Sequence, residues 1–229
     1  MRPVDKGPTT GTYTTYGQAK PDLLDRLGDY CSYCERRIET HLAVEHVQPK
    51  SREPALELAW SNFLLGCVHC NSSKGDTPID LEDFVWPDTD NTLRAFVYEE
   101  GGIVKPAPDL SPVLKAKAQA LIRLVGLDKY PGNPDRSRRP SSSDLRWLRR
   151  LEALEKARRT RDIVENYDAP ATRELAVQSF AGYGMFSIWY AVFEGDADMR
   201  RRLVEALPGT AANCFDGDFN LVPRSGGKL

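Results

Sequence analysis

Two Cys-x-x-Cys pairs, Cys31/Cys34 and Cys67/Cys70, set the tightest limit on what this chain can fold into. A pair with two intervening residues presents both sulfurs from one turn. Two such pairs can close four thiolates around a tetrahedral zinc ion. The competing readings are two disulfides, a redox dithiol, or unpaired buried cysteines. Disulfides need an oxidising compartment, and the opening Met1-Arg-Pro-Val-Asp-Lys6 shows no apolar leader, so a cytoplasmic setting is expected. A redox pair is expected once, beside a βαβ pattern, not twice around a polar interior. Structural zinc uses all four cysteines. Cys214 stands apart, next to Phe215, and reads as a small apolar residue.

Chemistry-bearing residues gather between and beside these pairs. Leu42-Ala-Val44 reads as a short strand leading into an acid–histidine dyad, Glu45-His46. Trp60-Ser-Asn62-Phe-Leu-Leu65 approaches the second pair, and Cys70 to Gly75 opens a short helix that carries Asn71 and Lys74. Successive residues of a regular strand point to opposite faces. Glu45 and His46 can therefore share one cleft only if the strand ends or bends there, and Pro49 suggests such an end. Asn62 by itself could equally cap a turn, and Lys74 could equally sit in solvent.

Composition excludes more than it assigns. The chain has 229 residues and a net charge of −2, so any basic surface must be local. It has no G-x-x-x-x-G-K-[ST] phosphate loop. Ala176 to Phe193 is largely apolar, but short and interrupted by Gln, Ser, Gly and Tyr, so it reads as a buried core helix and no membrane span is expected. Between Arg136 and Arg161 stand ten basic residues against three acidic ones. Arg138, Arg139, Arg146, Arg149 and Arg150 are the candidates there for contacting phosphates, as Lys74 is near the dyad. The competing reading is a solvated helix face laced with Glu–Arg pairs.

The expected organisation is α+β. Residues 1–90 would hold an irregular arm (to about residue 20), a short helix Pro21–Leu27 and the cysteine-framed core. Residues 91–110 would form a small hairpin around Glu99-Glu-Gly-Gly102. Residues 111–229 would be mainly helical. Helices are expected up to Gly126, from Ser143-Asp144 to about Tyr167, over Ala171–Glu194 and over Ala197–Leu207, before a mobile tail from Arg224.

The order C-x-x-C, acid–His dyad, central Asn, then C-x-x-C-Asn resembles the HNH, or ββα-metal, endonucleases of the four-cysteine subgroup. The family letters fall on His46, Asn62 and Asn71, and the resemblance covers roughly residues 30–76. It implies a zinc-stapled ββα core that hydrolyses DNA phosphodiesters. His46 would be the general base, and Glu45 and Asn71 the ligands of a catalytic Mg²⁺ or Mn²⁺; Asn62 would pin the loop carrying His46. Many relatives have Asp at the position of Glu45 and His at that of Asn71. The stretch Val44-Glu-His-Val-Gln-Pro-Lys-Ser51, the Trp60–Cys67 frame and Trp86-Pro-Asp-Thr-Asp-Asn91 resemble the HNH subunits of Septu-type and retron-associated anti-phage systems. That similarity implies a partner ATPase. The alternatives are an RNA nuclease using the same site, for instance on tRNA, or a non-catalytic zinc module binding nucleic acid or protein.

Overall fold

The computed structural model describes residues 1–9 and 11–229; Thr10, within the expected arm, lies outside the described residues. A 3₁₀ turn at Tyr16–Ala19 runs into helix α1 (Lys20–Leu27), which has Pro21 in its first turn and Gly28 (φ 73°) at its end. Strands β1 (Ala43–His46) and β2 (Phe63–Gly66) then pair antiparallel, with Val44 opposite Leu65 and Glu45 opposite Leu64. β2 is buried throughout, as its unbroken apolar sequence requires, because α1 covers it as well. Helix α2 (Val68–Lys74) follows directly and stops at Gly75, whose φ of 54° suits glycine. The unit is therefore β-β-α, with one cysteine pair ahead of β1 and the other where β2 passes into α2.

The expected hairpin forms as β3 (Phe96–Glu99) and β4 (Ile103–Pro106), joined through Gly101 and Gly102, both at positive φ. Helix α3 (Pro112–Leu124) is capped by the Ser111 hydroxyl, which accepts from the Leu114 amide, and it packs on β4. Helix α4 (Arg146–Asn166) starts later than the Ser143-Asp144 signal suggests. Those residues form a turn in which Asp144 accepts from the Arg146 amide.

The single helix expected over Ala171–Glu194 is two: α5 (Pro170–Tyr183) and α6 (Phe186–Val192). The break is Gly184-Met185, both at positive φ. A Cβ at Gly184 would fall 2.5 Å from the Glu35 carbonyl, and the Met185 amide donates to that same oxygen at 2.9 Å. The chain abandons its helix there to dock on the turn of the first cysteine pair. Helix α7 (Ala197–Ala206), capped by Asp196, ends the series.

Two apolar cores result. One gathers α1, β1, β2, the hairpin and α3 around residues such as Leu23, Phe63, Trp86 and Leu121; the other gathers α4 to α7 around Phe180, Phe186, Trp189 and Leu203. Each such large side chain contributes about 1.5–3 kcal/mol by leaving water. The extremities do not behave as loose ends. Val4 is buried in the first core and bridges to Thr210, so the arm is anchored. The expected mobile tail is held too: Arg224 donates to the carbonyls of Val4 and Pro87, the Lys228 amide donates to Asp90, and Leu229 is buried. Among the described residues, no helix is long and apolar enough to cross a membrane.

Candidate active site

Four sulfurs converge where the first cysteine turn meets the start of α2. Cys31, Cys34, Cys67 and Cys70 are buried and unbridged, and their sulfurs all lie within 4.8 Å of one another. Zinc–sulfur bonds of about 2.3 Å place tetrahedral sulfurs about 3.8 Å apart, and Cys34 and Cys67 are separated by 3.6 Å. Burial pushes the Cys31 and Cys70 thiols up, while hydrogen bonding from Cys31 pulls Cys34 down to about 7 and pulls Cys67 lower still. The donor set and its spacing fit a soft tetrahedral metal ion.

Behind this knot, β1 delivers the dyad. His46 is the last residue of the strand, so Glu45 and His46 both line one cavity of about 250 Å³. Asn71 reaches the same cavity from α2. The strand does end at the dyad, as a shared cleft requires.

Three contacts determine the state of His46. Its ring lies edge-on to Tyr16 (5.0 Å between centroids) and to Phe63 (5.2 Å). Its Nε2 is 3.0 Å from the Glu57 carbonyl, and a carbonyl can only accept. Nε2 therefore carries the proton, and Nδ1 keeps the lone pair. Burial lowers the pKa of the imidazole below its ordinary 6.5, although the Glu57 contact pulls the other way.

Asn62 closes the loop around that ring. Its amide donates to the carbonyls of Gln48 (2.9 Å) and Leu56 (3.3 Å), and its oxygen accepts from the Gln48 amide (2.8 Å). The segment just after His46 is thereby tied to the segment that presents Glu57.

Glu45 and Lys74 are each 2% exposed, and Lys74 Nζ lies 3.0 Å from Glu45 Oε1. The ammonium donates to the His46 carbonyl at 2.7 Å, and Oε1 receives no properly directed hydrogen bond. Burial raises the Glu45 pKa, with the Lys74 charge opposing. Room for the carboxylate comes from Gly66, where a Cβ would lie 3.0 Å from that of Glu45. The Lys74 ion pair answers the charge of that oxygen, and Glu45 lines the cavity beside it.

Lys74 is thus neither a surface lysine nor an exposed phosphate contact. Two members of the basic segment are corrected in the same way. Arg146 and Arg150 are buried, bonded to main-chain carbonyls and, for Arg146, to Asp144, because the start of their helix is packed against the hairpin turn and the end of α3. Arg138 pairs with Asp128 and Arg149 with Glu152, while Arg139 donates to the Asn133 carbonyl. Arg158, Arg159 and Arg161 also have carboxylate partners. Burial thus withdraws Arg146 and Arg150 from phosphate contact, whereas Arg138, Arg139 and Arg149 stay at or near the surface. Sequence reading missed other residues at the cavity: Tyr16, Lys50 and Asp76. Lys50 was detectable as a cation four positions past His46, whereas nothing marks Tyr16, thirty positions away.

Comparison with known proteins agrees with this geometry. Residues 31–77 match the family model for HNH endonucleases. The chain is 34% identical over 82 residues to the Septu protein PtuB of Bacillus thuringiensis, an alignment covering 33% of this chain and 32% of that protein. The matched part thus spans about a third of the relative's length. With its family match, its β-β-α frame and its four-cysteine knot, the segment 31–77 is an HNH-family module.

Proposed function

We propose that this chain is a metal-dependent HNH endonuclease that hydrolyses DNA phosphodiester bonds as the nuclease of an anti-phage defence system. The observation that carries the reading is the convergence of Glu45, His46 and Asn71 on one cavity, with the His46 lone pair held on Nδ1. In this reading Nδ1 accepts the proton of the water that attacks the phosphorus. The Glu57 carbonyl and the Asn62 loop keep the ring in place, and Tyr16 and Phe63 flank it. Glu45 and Asn71 would hold Mg²⁺ or Mn²⁺, which supplies charge stabilisation at the phosphate and leaving oxygen. Lys74 keeps the buried Glu45 carboxylate paired. Zinc in the cysteine knot would be structural, distant in role from the hydrolysis.

The chemistry would reside within residues 1–90, with the hairpin of residues 91–110 and the helical region 111–229 as its support. The similarity to a Septu protein supports a defence role in the cytoplasm and a partner ATPase that controls cutting. The test is cleavage of supercoiled plasmid, and of tRNA in parallel, by wild type and His46→Ala with Mg²⁺, Mn²⁺ or EDTA. Metal-dependent nicking or linearisation of plasmid that disappears in His46→Ala is expected. Cleavage of tRNA alone would move the substrate to RNA. Inactivity of the zinc-loaded chain on both substrates, even with its ATPase partner present, would leave a non-catalytic zinc module.

A further inference from the structure

Arg146 is 1% exposed, and its guanidinium is bonded on every side. Nε and Nη2 fork onto Asp144 at 2.8 and 2.7 Å. Nη1 and Nη2 donate to the carbonyls of Val125 (2.7 Å) and Gly126 (3.0 Å) at the end of α3. Nη1 also donates to the Cys70 sulfur at 3.1 Å. Across the knot, Arg36 Nη2 lies 3.6 Å from the Cys67 sulfur, and the Cys67 amide donates to Cys31 at 3.3 Å. A zinc ion with four thiolates leaves two negative charges, and burying them without donors is costly. The donors around these sulfurs answer that cost.

We propose that Arg146 is the outer-sphere partner of a zinc ion held by the four cysteines, joining metal retention to the seating of the α3–α4 junction. The proposal rests on reading the cysteine knot as a zinc site. Arg150, one turn further along α4, serves as the internal comparison. It is equally buried and bonds the carbonyls of Gly102 and Leu127; among the described residues it donates to no sulfur. The junction itself is pressed against the knot helix, since a Cβ at Gly126 would fall 2.8 Å from the Ser73 hydroxyl and 3.1 Å from Arg146 Nη2. Arg146 therefore connects a metal-binding sulfur on α2 to the end of α3 and the start of α4 with one planar group, a geometry that lysine does not offer. It is a positioning residue and touches no substrate.

The test uses full-length wild type, Arg146→Gln and Arg150→Gln. Arg146→Gln is expected to release zinc to a chromogenic chelator at least about tenfold faster than wild type, the size usual for outer-shell partners of metal ligands. In the cobalt-substituted protein its sulfur-to-metal charge-transfer band is expected at lower energy, because a thiolate without its donor gives up electrons more readily. Arg150→Gln is expected to leave both readouts where wild type has them. A folded Arg146→Gln with the wild-type release rate and an unshifted band would overturn the proposal. If Arg146→Gln does not fold, amide exchange on wild type before and after chelation decides. Loss of protection at 125–127 and 144–150 together with 67–75, while 176–183 stays protected, is expected; loss at 67–75 alone overturns the proposal. A wild-type chain that binds no zinc overturns the zinc reading as well, whereas zinc-loaded protein with unmoved variants overturns only the role of Arg146.

Discussion

The ammonium of Lys74 stands 3.0 Å from the carboxylate of Glu45, and both side chains are withdrawn from water. The pair joins the last turn of α2 to the strand that presents the dyad, so α2 and β1 share one charged contact beside the cavity. Removing one partner of such a pair strands a buried charge, whereas removing both does not.

Lys74→Met is therefore expected to cost about 3–5 kcal/mol of stability, read from urea unfolding followed by circular dichroism. The double variant Lys74→Met/Glu45→Gln should recover much of that loss. A single variant as stable as wild type would show that the pair is solvated in solution.

The pH dependence of cleavage follows from His46. In the proposed mechanism its neutral imidazole is the reactive form, and burial holds its pKa below 6.5. Activity should fall as pH drops through a midpoint below 6.5. The sign for stability is the same. Between the folded and the unfolded pKa the unfolded chain binds the extra proton, so this group makes stability fall as pH falls below about 6.5. Initial plasmid-cleavage rates from pH 4.5 to 8 would show it; a midpoint above 6.5 contradicts the assignment. His46→Ala should lose about 10²–10⁴ in rate.

The Asn62 side chain makes three hydrogen bonds that hold the chain on both sides of the His46 ring. Asn62→Ala leaves the Gln48 amide and carbonyl unmatched and should cost about 1–3 kcal/mol. It should also slow cleavage by roughly 10²-fold through displacement of the base. Asn62→Asp keeps the acceptor for Gln48 and loses both donor contacts, so it should fall between. Melting temperature and cleavage rate on the same preparations check both effects.

Gly184 can be tested without touching the site. At φ 81°, with a Cβ position 2.5 Å from the Glu35 carbonyl, Gly184→Ala combines backbone strain with a clash. A cost of about 2–4 kcal/mol is expected. Tolerance of alanine there would mean that α6 is not seated on the first cysteine turn.

Chelation tests the knot. Metal binding by four thiolates is part of folding free energy, so stripping the ion, or replacing Cys31 by Ser, should unfold residues 31–77. Amide exchange in that segment is the readout. Unchanged protection would make the knot a cluster of packed thiols.

Sequence alone settled whatever depends on short spacing. Cys31, Cys34, Cys67 and Cys70 announce a metal knot because each pair lies on one turn. Glu45-His46 and Asn71 announce a site because they sit at fixed offsets from those turns. The hairpin around Gly101-Gly102 and most helices were legible for the same reason, since turn chemistry and apolar periodicity are local. Tertiary structure decided which charged residues face solvent. Arg146 and Arg150 look like members of a basic stripe, yet partners twenty to seventy-six positions away draw them inside. Lys74 looks exposed until β1 brings Glu45 against it. The break at Gly184-Met185 was hidden because its cause, the Glu35 carbonyl, lies about 150 residues upstream. Spacing reports what a residue can do with its near neighbours; only the packed chain supplies the distant carbonyl, sulfur or carboxylate that determines whether a charge is buried and paired.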